Sequence, residues 1–168
     1  DNTGTDAGEA IEVAGPAGTD LTGWTVVLYN GGNSQFYDTD ALPVTIPNTC
    51  GGFGVVVLNY GVNGIQNGNP DGMAPVNSSG TVVQFLSYGG TITAANGPAI
   101  GMTSTDIGVA EPSTTPVGNS LQLSGTGTVY TDFTWQPAAA NTFGACNTGQ
   151  TFVVPDVPPF VVSTVPTA

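Results

Sequence analysis

Short apolar runs alternate with turns of glycine, proline and asparagine along most of the chain. Ala10 to Ala14 alternates apolar and polar side chains and ends at Gly15-Pro16, which is typical of a strand with one covered face. Phe53 to Leu58 is nearly continuous in apolar residues, so it predicts a strand covered on both faces. Pro43 places the run Leu42 to Ile46 at a sheet edge or a bulge. Further strands are predicted at Leu21 to Tyr29, Met73 to Val76, Thr81 to Ser87, Leu121 to Ser124 and Asp132 to Trp135.

No window of 11 residues keeps a helical period, and β-branched residues are abundant, which argues against helices. Short strands at close spacing are typical of a β-sandwich. The stretch from Gly89 to Gly118 has little periodicity, and no strand is predicted there. The 168 residues suffice for one all-β domain, expected to span residues 1–152.

The chain after this domain has a different pattern. Residues 153–168 predict a stiff, proline-rich linker, Pro155 to Pro159, followed by an extended C-terminal strand. This strand has no turn or partner after it in the sequence, so it is either a strand donated to another copy or the start of a following Ig-like module. In extended backbone its side chains alternate, with Phe160, Val162 and Thr164 on one side and Val161, Ser163 and Val165 on the other.

All the charge in this chain has one sign. There are twelve acidic residues and no Lys, Arg or His, for a net charge of −12. Without cations the chain has nothing to hold phosphate, so nucleic-acid binding and docking on anionic membranes are not expected. No apolar run approaches the ~18 residues that span a bilayer, so membrane insertion is not expected either. The absence of an initiating Met and of a signal peptide favours a mature or processed fragment.

Catalysis has few groups to draw on. Without His or Lys, neither a serine triad nor a Ser–Lys dyad can be assembled. Paired carboxylates remain, as Asp38 with Asp40 or Glu9 with Glu12. Glu9 and Glu12 face opposite sides of a strand, and Asp38-Thr39-Asp40 is typical of a solvated turn. The chain is therefore expected not to be an enzyme.

Cys50 and Cys146 are the only cysteines. Two buried thiols would be ordinary in a cytosolic protein, but the rest of the composition favours an extracellular or cell-surface protein and hence a disulfide. Closing a loop of this length would stabilise the fold by roughly 4 kcal/mol in the chain-entropy model.

Oxygen-rich loops offer two candidate calcium sites. Asn67-Gly68-Asn69-Pro70-Asp71-Gly72 imitates the start of a calcium loop, but Ser78 stands where an EF-hand needs a bidentate Glu. The alternative is that these side chains cap their own turns. Asn77-Ser78-Ser79 matches a glycosylation sequon. The candidate ligands are Asp1, Asp6 and Glu9 in the first loop and Asn67, Asn69 and Asp71 in the second.

Aromatic residues give a weak indication of glycan binding, which needs exposed platforms. Trp24 and Trp135 are expected to pack in the core. Tyr29, Tyr37 and Tyr60 are the candidates for exposed aromatic side chains.

Gly8 to Gly31 resembles the opening of the lamin-tail domain, with Gly15 and the run Asp20-Leu21-Thr22-Gly23-Trp24 at the matching positions. Three more segments are similar to a bacterial branch of that family found in large secreted proteins: Ile65 to Ala74, Gly101 to Gly108 and Leu121 to Gly127. The resemblance covers residues 1–152. It implies an Ig-like β-sandwich of the lamin-tail type without catalysis of its own.

Two departures from the lamin-tail pattern bear on function. Family members carry one more strand upstream of Asp1, and this strand is missing from the sequence. At the other end, Pro158 to Ala168 resembles the first strand of a bacterial Ig-like module. The sequence therefore predicts a structural module that joins copies of itself, or a larger secreted protein, by sharing strands. The alternative is an accessory targeting module of a secreted hydrolase, binding glycan, mineral or calcium.

Overall fold

The computed structural model describes residues 5–43, 45–68 and 70–155. Within them the chain forms strands and one turn of 3₁₀-helix, Tyr130–Asp132, and no α-helix. The strands are β1 (Ala10–Pro16), β2 (Thr25–Asn30), β3 (Gln35–Ala41), β4 (Phe53–Asn59), β5 (Asp71–Val76), β6 (Leu86–Tyr88), β7 (Thr105–Asp106), β8 (Asn119–Gly127), β9 (Phe133–Ala140) and β10 (Gln150–Phe152).

The strands form three sheets. The largest has the order β3-β2-β5-β6-β7, the second pairs β1 with β4 in antiparallel register, and the third has the order β10-β8-β9. The predicted all-β class is confirmed, and the stacked sheets are consistent with an Ig-like β-sandwich.

The five-stranded sheet is covered on both faces at β2. Four consecutive residues of this strand, Val26 to Tyr29, are buried, and their side chains alternate between the two faces. Val26 and Leu28 point toward the β1–β4 pair and pack with Ile11 and Val56. Val27 and Tyr29 point the other way, since side chains alternate along a strand. On that side they pack with a second group of residues, which the segment after β6 helps to close: Ala74, Val76, Phe85, Ile92, Ala94 and Ala99.

The three-stranded sheet lies against the opposite face of the β1–β4 pair. The ring of Phe53 stacks on Phe152 with centroids 4.7 Å apart, and Phe152 in turn contacts Phe133 at 5.2 Å. A disulfide between Cys50 and Cys146 joins the same two layers. The prediction that the Phe53 strand is covered on both faces is therefore confirmed. Gly54 is required here because a Cβ at this position would lie 1.7 Å from the carbonyl oxygen of Pro47.

The Asp20–Trp24 run forms a turn that fixes the start of β2. The Asp20 carboxylate accepts hydrogen bonds from the hydroxyl and the N–H of Thr22, and these bonds lower the pKa of Asp20. Leu21 is buried, and its carbonyl accepts the N–H of Trp24. Gly23 has a φ of 77°, which non-glycine residues rarely adopt. Asp20, Thr22 and Gly23 thus have local physical reasons, whereas Leu21 is explained by its burial in the core.

Several strand predictions need correction. The predicted strand Leu42 to Ile46 is wrong over its described residues, where Thr45 makes an isolated bridge to Asp20 while Leu42 and Ile46 turn into the core. Prolines at 43 and 47 remove the donors that a ladder needs. Thr81 to Ser87 enters a strand only at its end, as β6, with Val82 in an isolated bridge.

Three strands were absent from the sequence prediction. β3 is largely polar because it is an edge strand of the five-stranded sheet, so it lacks the apolar run that marks a buried strand. Asp38 and Asp40 therefore lie in a strand and not in a turn. The others are two-residue β7, within the segment left unassigned, and β10, whose last residue is Phe152.

Candidate functional site

The most distinctive feature of the fold is the open edge of β1. All seven residues of β1 pair with β4. The N–H of Tyr60 donates to the carbonyl of Glu9, and the N–H of Ala17 donates to the carbonyl of Gly52, so the odd-numbered residues direct their backbone groups toward β4. In an antiparallel strand the intervening residues point the other way. Within the part of the chain that the structure describes, no strand pairs with that side.

A cleft of about 830 Å³ runs along this edge. Its floor is the five-stranded sheet, where Met73 and Leu86 face the cleft, and its roof is the three-stranded sheet, where Leu123 and Trp135 face it. Met73 pairs with Leu86, and Leu123 pairs with Trp135, so each wall includes a pair of neighbouring side chains. A volume of this size falls within the range of ligand-binding clefts in proteins. The cleft is thus predominantly apolar and bordered by a strand edge.

Glu12 is the acidic residue of β1 that lines the cleft. Its carboxylate accepts a hydrogen bond of 2.6 Å from the N–H of Gly144, in the loop that follows β9. Burial raises the pKa of Glu12, and the bond from Gly144 lowers it by a smaller amount. The protonated form of Glu12 is therefore favoured in the folded chain relative to the unfolded chain.

The raised pKa of Glu12 predicts a pH dependence of stability. A carboxyl group with a raised pKa binds more protons when folded, so its contribution is most favourable below its unfolded pKa and is lost as the pH rises through the folded pKa. We expect Glu12→Gln to remove this contribution, so that the variant's stability relative to wild type rises from acid to neutral pH. Urea unfolding between pH 3.5 and 7 measures the difference. A difference that stays flat, or falls, over this range would contradict it.

The predicted disulfide is present, with the Cα atoms of Cys50 and Cys146 5.7 Å apart, inside the geometric limit for a bridge. Cys50 lies in the turn before β4, and Cys146 lies in the loop between β9 and β10. The bridge therefore holds the roof of the cleft to the layer that carries β1.

The predicted calcium ligands are engaged by the polypeptide itself. Asp6 is buried and accepts the side-chain amide of Asn67. Asp71 accepts the N–H groups of Gly31 and Gly68, and Glu9 accepts those of Gly64 and Ile65. The structure thus brings Asp6 of the first loop to Asn67 of the second. Asp1 and Asn69 lie outside the described residues.

Across residues 5–43, 45–68 and 70–155, no three carboxylate or thiol side chains converge in an arrangement that could hold a metal ion. Calcium binding stays a prediction.

Tyrosines surround the same acidic region. Burial, reinforced by nearby carboxylates such as Asp71, raises the pKa of Tyr37 to about 12, against a smaller opposing effect of its bond to the N–H of Gln66. Burial and the neighbouring Asp40 raise the pKa of Tyr60. The expectation of an exposed side chain is wrong for Tyr29, which is fully buried, and Tyr37 and Tyr60 are only partly exposed. The cause is packing against segments distant in sequence, which the local pattern does not reveal.

The remaining predicted positions are separated in space. Glu9 and Glu12 have different partners, in the loop after β4 and the loop after β9. Asn77 lies in a turn in which its side-chain oxygen accepts the N–H groups of Ser79 and Thr81. The assembly strand Phe160 to Val165 lies outside the described residues.

The tryptophans differ from each other. Trp24 packs against the core next to β1, as expected. Trp135 is half-buried, lines the cleft, and donates its indole N–H to the hydroxyl of Tyr130 at 3.0 Å. Tyr130 is 39% exposed, so this aromatic pair reaches the surface.

Comparison of the chain with protein-family models, with curated proteins and with solved structures finds no match. The lamin-tail resemblance therefore stays a prediction from the residues that carry it. Within the described residues, no helix is long and apolar enough to cross a membrane.

Proposed function

We propose that this chain is a non-catalytic extracellular structural module that joins copies of itself, or a larger secreted parent protein, by sharing β-strands. The observation that carries the proposal is the outer edge of β1, which no strand among the described residues covers, inside a layered fold. Unpaired backbone groups along a strand are a template for pairing with another chain unless they are covered or blocked. β1 has no Lys and carries proline only at its end, Pro16. Its one charged residue, Glu12, has its carboxylate bound by the N–H of Gly144.

The lamin-tail resemblance and the disulfide support the extracellular setting of this proposal, since disulfides persist in oxidising compartments. Strand sharing is a heterologous contact, because the donor and acceptor surfaces differ. It therefore propagates into a filament unless the rotation between copies closes a ring.

The test is the oligomeric state of the full chain. Each copy carries a net charge of −12, so assembly is expected to strengthen as salt screens the repulsion between copies. We expect light scattering and electron microscopy to show concentration-dependent oligomers in about 0.5 M NaCl, where the Debye length falls below about 5 Å. Val162→Asp should abolish them, because it places a charge in the predicted donor strand.

Val62→Asp is the matched control, since Val62 is 61% exposed in a turn far along the chain from the donor strand. It should leave the oligomers unchanged. A wild-type chain that is monomeric at every salt and protein concentration tested would refute the assembly function.

The alternative function, an accessory targeting module of a secreted hydrolase, is favoured by one observation. Trp135 and Tyr130 form a hydrogen-bonded aromatic pair that is partly open to solvent. Sugars bind such faces through apolar contact. Titration of soluble glycans against tryptophan fluorescence tests this, with Trp135→Phe as the variant. An unchanged spectrum across the glycans would leave assembly as the proposed function.

A further inference from the structure

The cleft beside β1 lies where a third strand of the β1–β4 sheet would run. The β1–β4 pair lies over one part of the five-stranded sheet, where Val26 and Leu28 are covered. Beyond the open edge of β1, the same face continues through Met73 and Leu86, which line the cleft. A third strand beside β1 would continue the smaller sheet over these side chains, as facing sheets do in a sandwich.

A strand in this position would be buried on both faces. Met73 and Leu86 lie below it, while Leu123 and Trp135 of the three-stranded sheet lie above it. Strands buried on both faces are apolar at nearly every position, unlike strands with one solvated face. The occupant must therefore carry apolar side chains on both sides of its backbone.

The edge also defines how the occupant binds. The backbone groups of Ala10, Glu12 and Ala14 point away from β4, by the alternation that the Glu9 and Ala17 bonds establish. An extended segment alongside β1 would satisfy them with main-chain hydrogen bonds, the mode called β-augmentation.

One segment of this chain has the required pattern. Phe160, Val162 and Thr164 fall on one side of an extended backbone, and Val161, Ser163 and Val165 fall on the other. Both sides are therefore largely apolar or β-branched. We propose that the cleft beside β1 accepts residues 160–165 of a second copy of this chain as a third strand of the β1–β4 sheet. This inference rests on the proposed assembly function and assigns it an acceptor site.

The linker explains why the donor is a second copy. The side chain of Val154 packs against Gly52, which is bonded to Ala17 at the C-terminal end of β1. A fully extended proline-rich segment rises by about 3.1 Å per residue, so a linker of six such residues would reach about 19 Å from Val154. The seven residues of β1 span about 23 Å. If the linker folded back along β1 of its own copy, its prolines would lie beside the open edge of β1. The apolar strand that follows would then lie beyond the end of β1 and could not pair with it.

A proline at Ala14 tests the acceptor edge. Ala14 is exposed, and its N–H points away from β4, so Ala14→Pro removes a donor available to a third strand while sparing the pairing with β4. We expect at least a tenfold weaker association of this variant in sedimentation at about 0.5 M NaCl. Val62→Pro is the control proline, because Val62 is the second residue of the Gly61–Gly64 turn, where proline is favoured. It should associate like the wild type.

Leu123→Asp tests the roof of the cleft independently, with far-UV circular dichroism and the unfolding midpoint showing that each variant is folded.

Mixing two of these variants gives the decisive result. Ala14→Pro keeps an intact tail and Val162→Asp keeps an intact cleft, so each alone should be monomeric while an equimolar mixture forms a one-to-one dimer and nothing larger.

The outcomes separate the two proposals. If folded Ala14→Pro and Leu123→Asp chains assemble like the wild type, the cleft is not the acceptor, while assembly through another surface stands. If the wild type is monomeric and its tail amides are protected from hydrogen exchange, the tail fills its own cleft, and both the assembly function and the second-copy assignment are overturned. A monomer with unprotected tail amides overturns both proposals.

Discussion

Replacing Cys50 and Cys146 with alanine should lower the free energy of unfolding by about 4 to 5 kcal/mol. The bridge closes a loop with a sequence separation of 96, and cross-linking a loop of that length removes this much free energy of chain entropy from the unfolded state. The cost is a large share of the stability of an ordinary domain. The bridge also joins the layer of β1 to the three-stranded sheet, so its loss loosens the cleft.

Urea unfolding of the wild type and of the double variant measures this effect. The wild type in reductant should match the double variant in oxidising buffer, and the double variant should not respond to reductant. Two chains that unfold within about 1 kcal/mol of each other would contradict the chain-entropy account.

Tyr29→Ala should be comparably destabilising, by about 3 to 5 kcal/mol, the range for large aromatic residues removed from a core. Tyr29 is fully buried, its ring centroid lies 5.0 Å from that of Phe85, and its hydroxyl accepts the N–H of Ala99 at 2.9 Å. The variant loses the packing and also leaves a buried N–H without an acceptor.

Tyr29→Phe separates these two contributions. It keeps the ring and removes the hydroxyl, so it should cost about 1 to 3 kcal/mol, the penalty for an unsatisfied buried donor. Tyr130→Phe is the surface control, because Tyr130 is 39% exposed and water can replace its hydroxyl. A Tyr29→Phe chain as stable as the wild type would show that the Ala99 N–H finds another acceptor.

The strands with apolar runs were predictable because the pattern of apolar side chains indicates which faces of a strand are buried. Phe53 to Leu58 predicted a strand buried on both sides, and β4 is enclosed between two layers. The edge strand β3 was not predictable in this way, since it is largely polar and is held by pairing with β2. Leu42 to Ile46 has the composition of a strand, but Leu42 and Ile46 are buried in the core while their backbone is irregular.

The residues of the candidate site likewise fall into those that the sequence predicted and those that it did not. The two cysteines could be paired because a chain with only two allows a single intramolecular bridge. The expected exposure of Tyr29 was wrong because the segment that buries it, around Ala99, is far away in the sequence and has no periodicity.

The sequence by itself determined the all-β class, the disulfide pair and the absence of cationic side chains, because these follow from residue types and from alternation over a few neighbours. The tertiary structure decided that β1 pairs with β4 across two intervening strands, that the other edge of β1 stays open within the described residues, and that an apolar cleft lies beside it. A period of two assigns each side chain to a face but leaves the neighbour of each strand undetermined. That choice depends on contacts between segments far apart in the chain, and it is what creates the candidate assembly site.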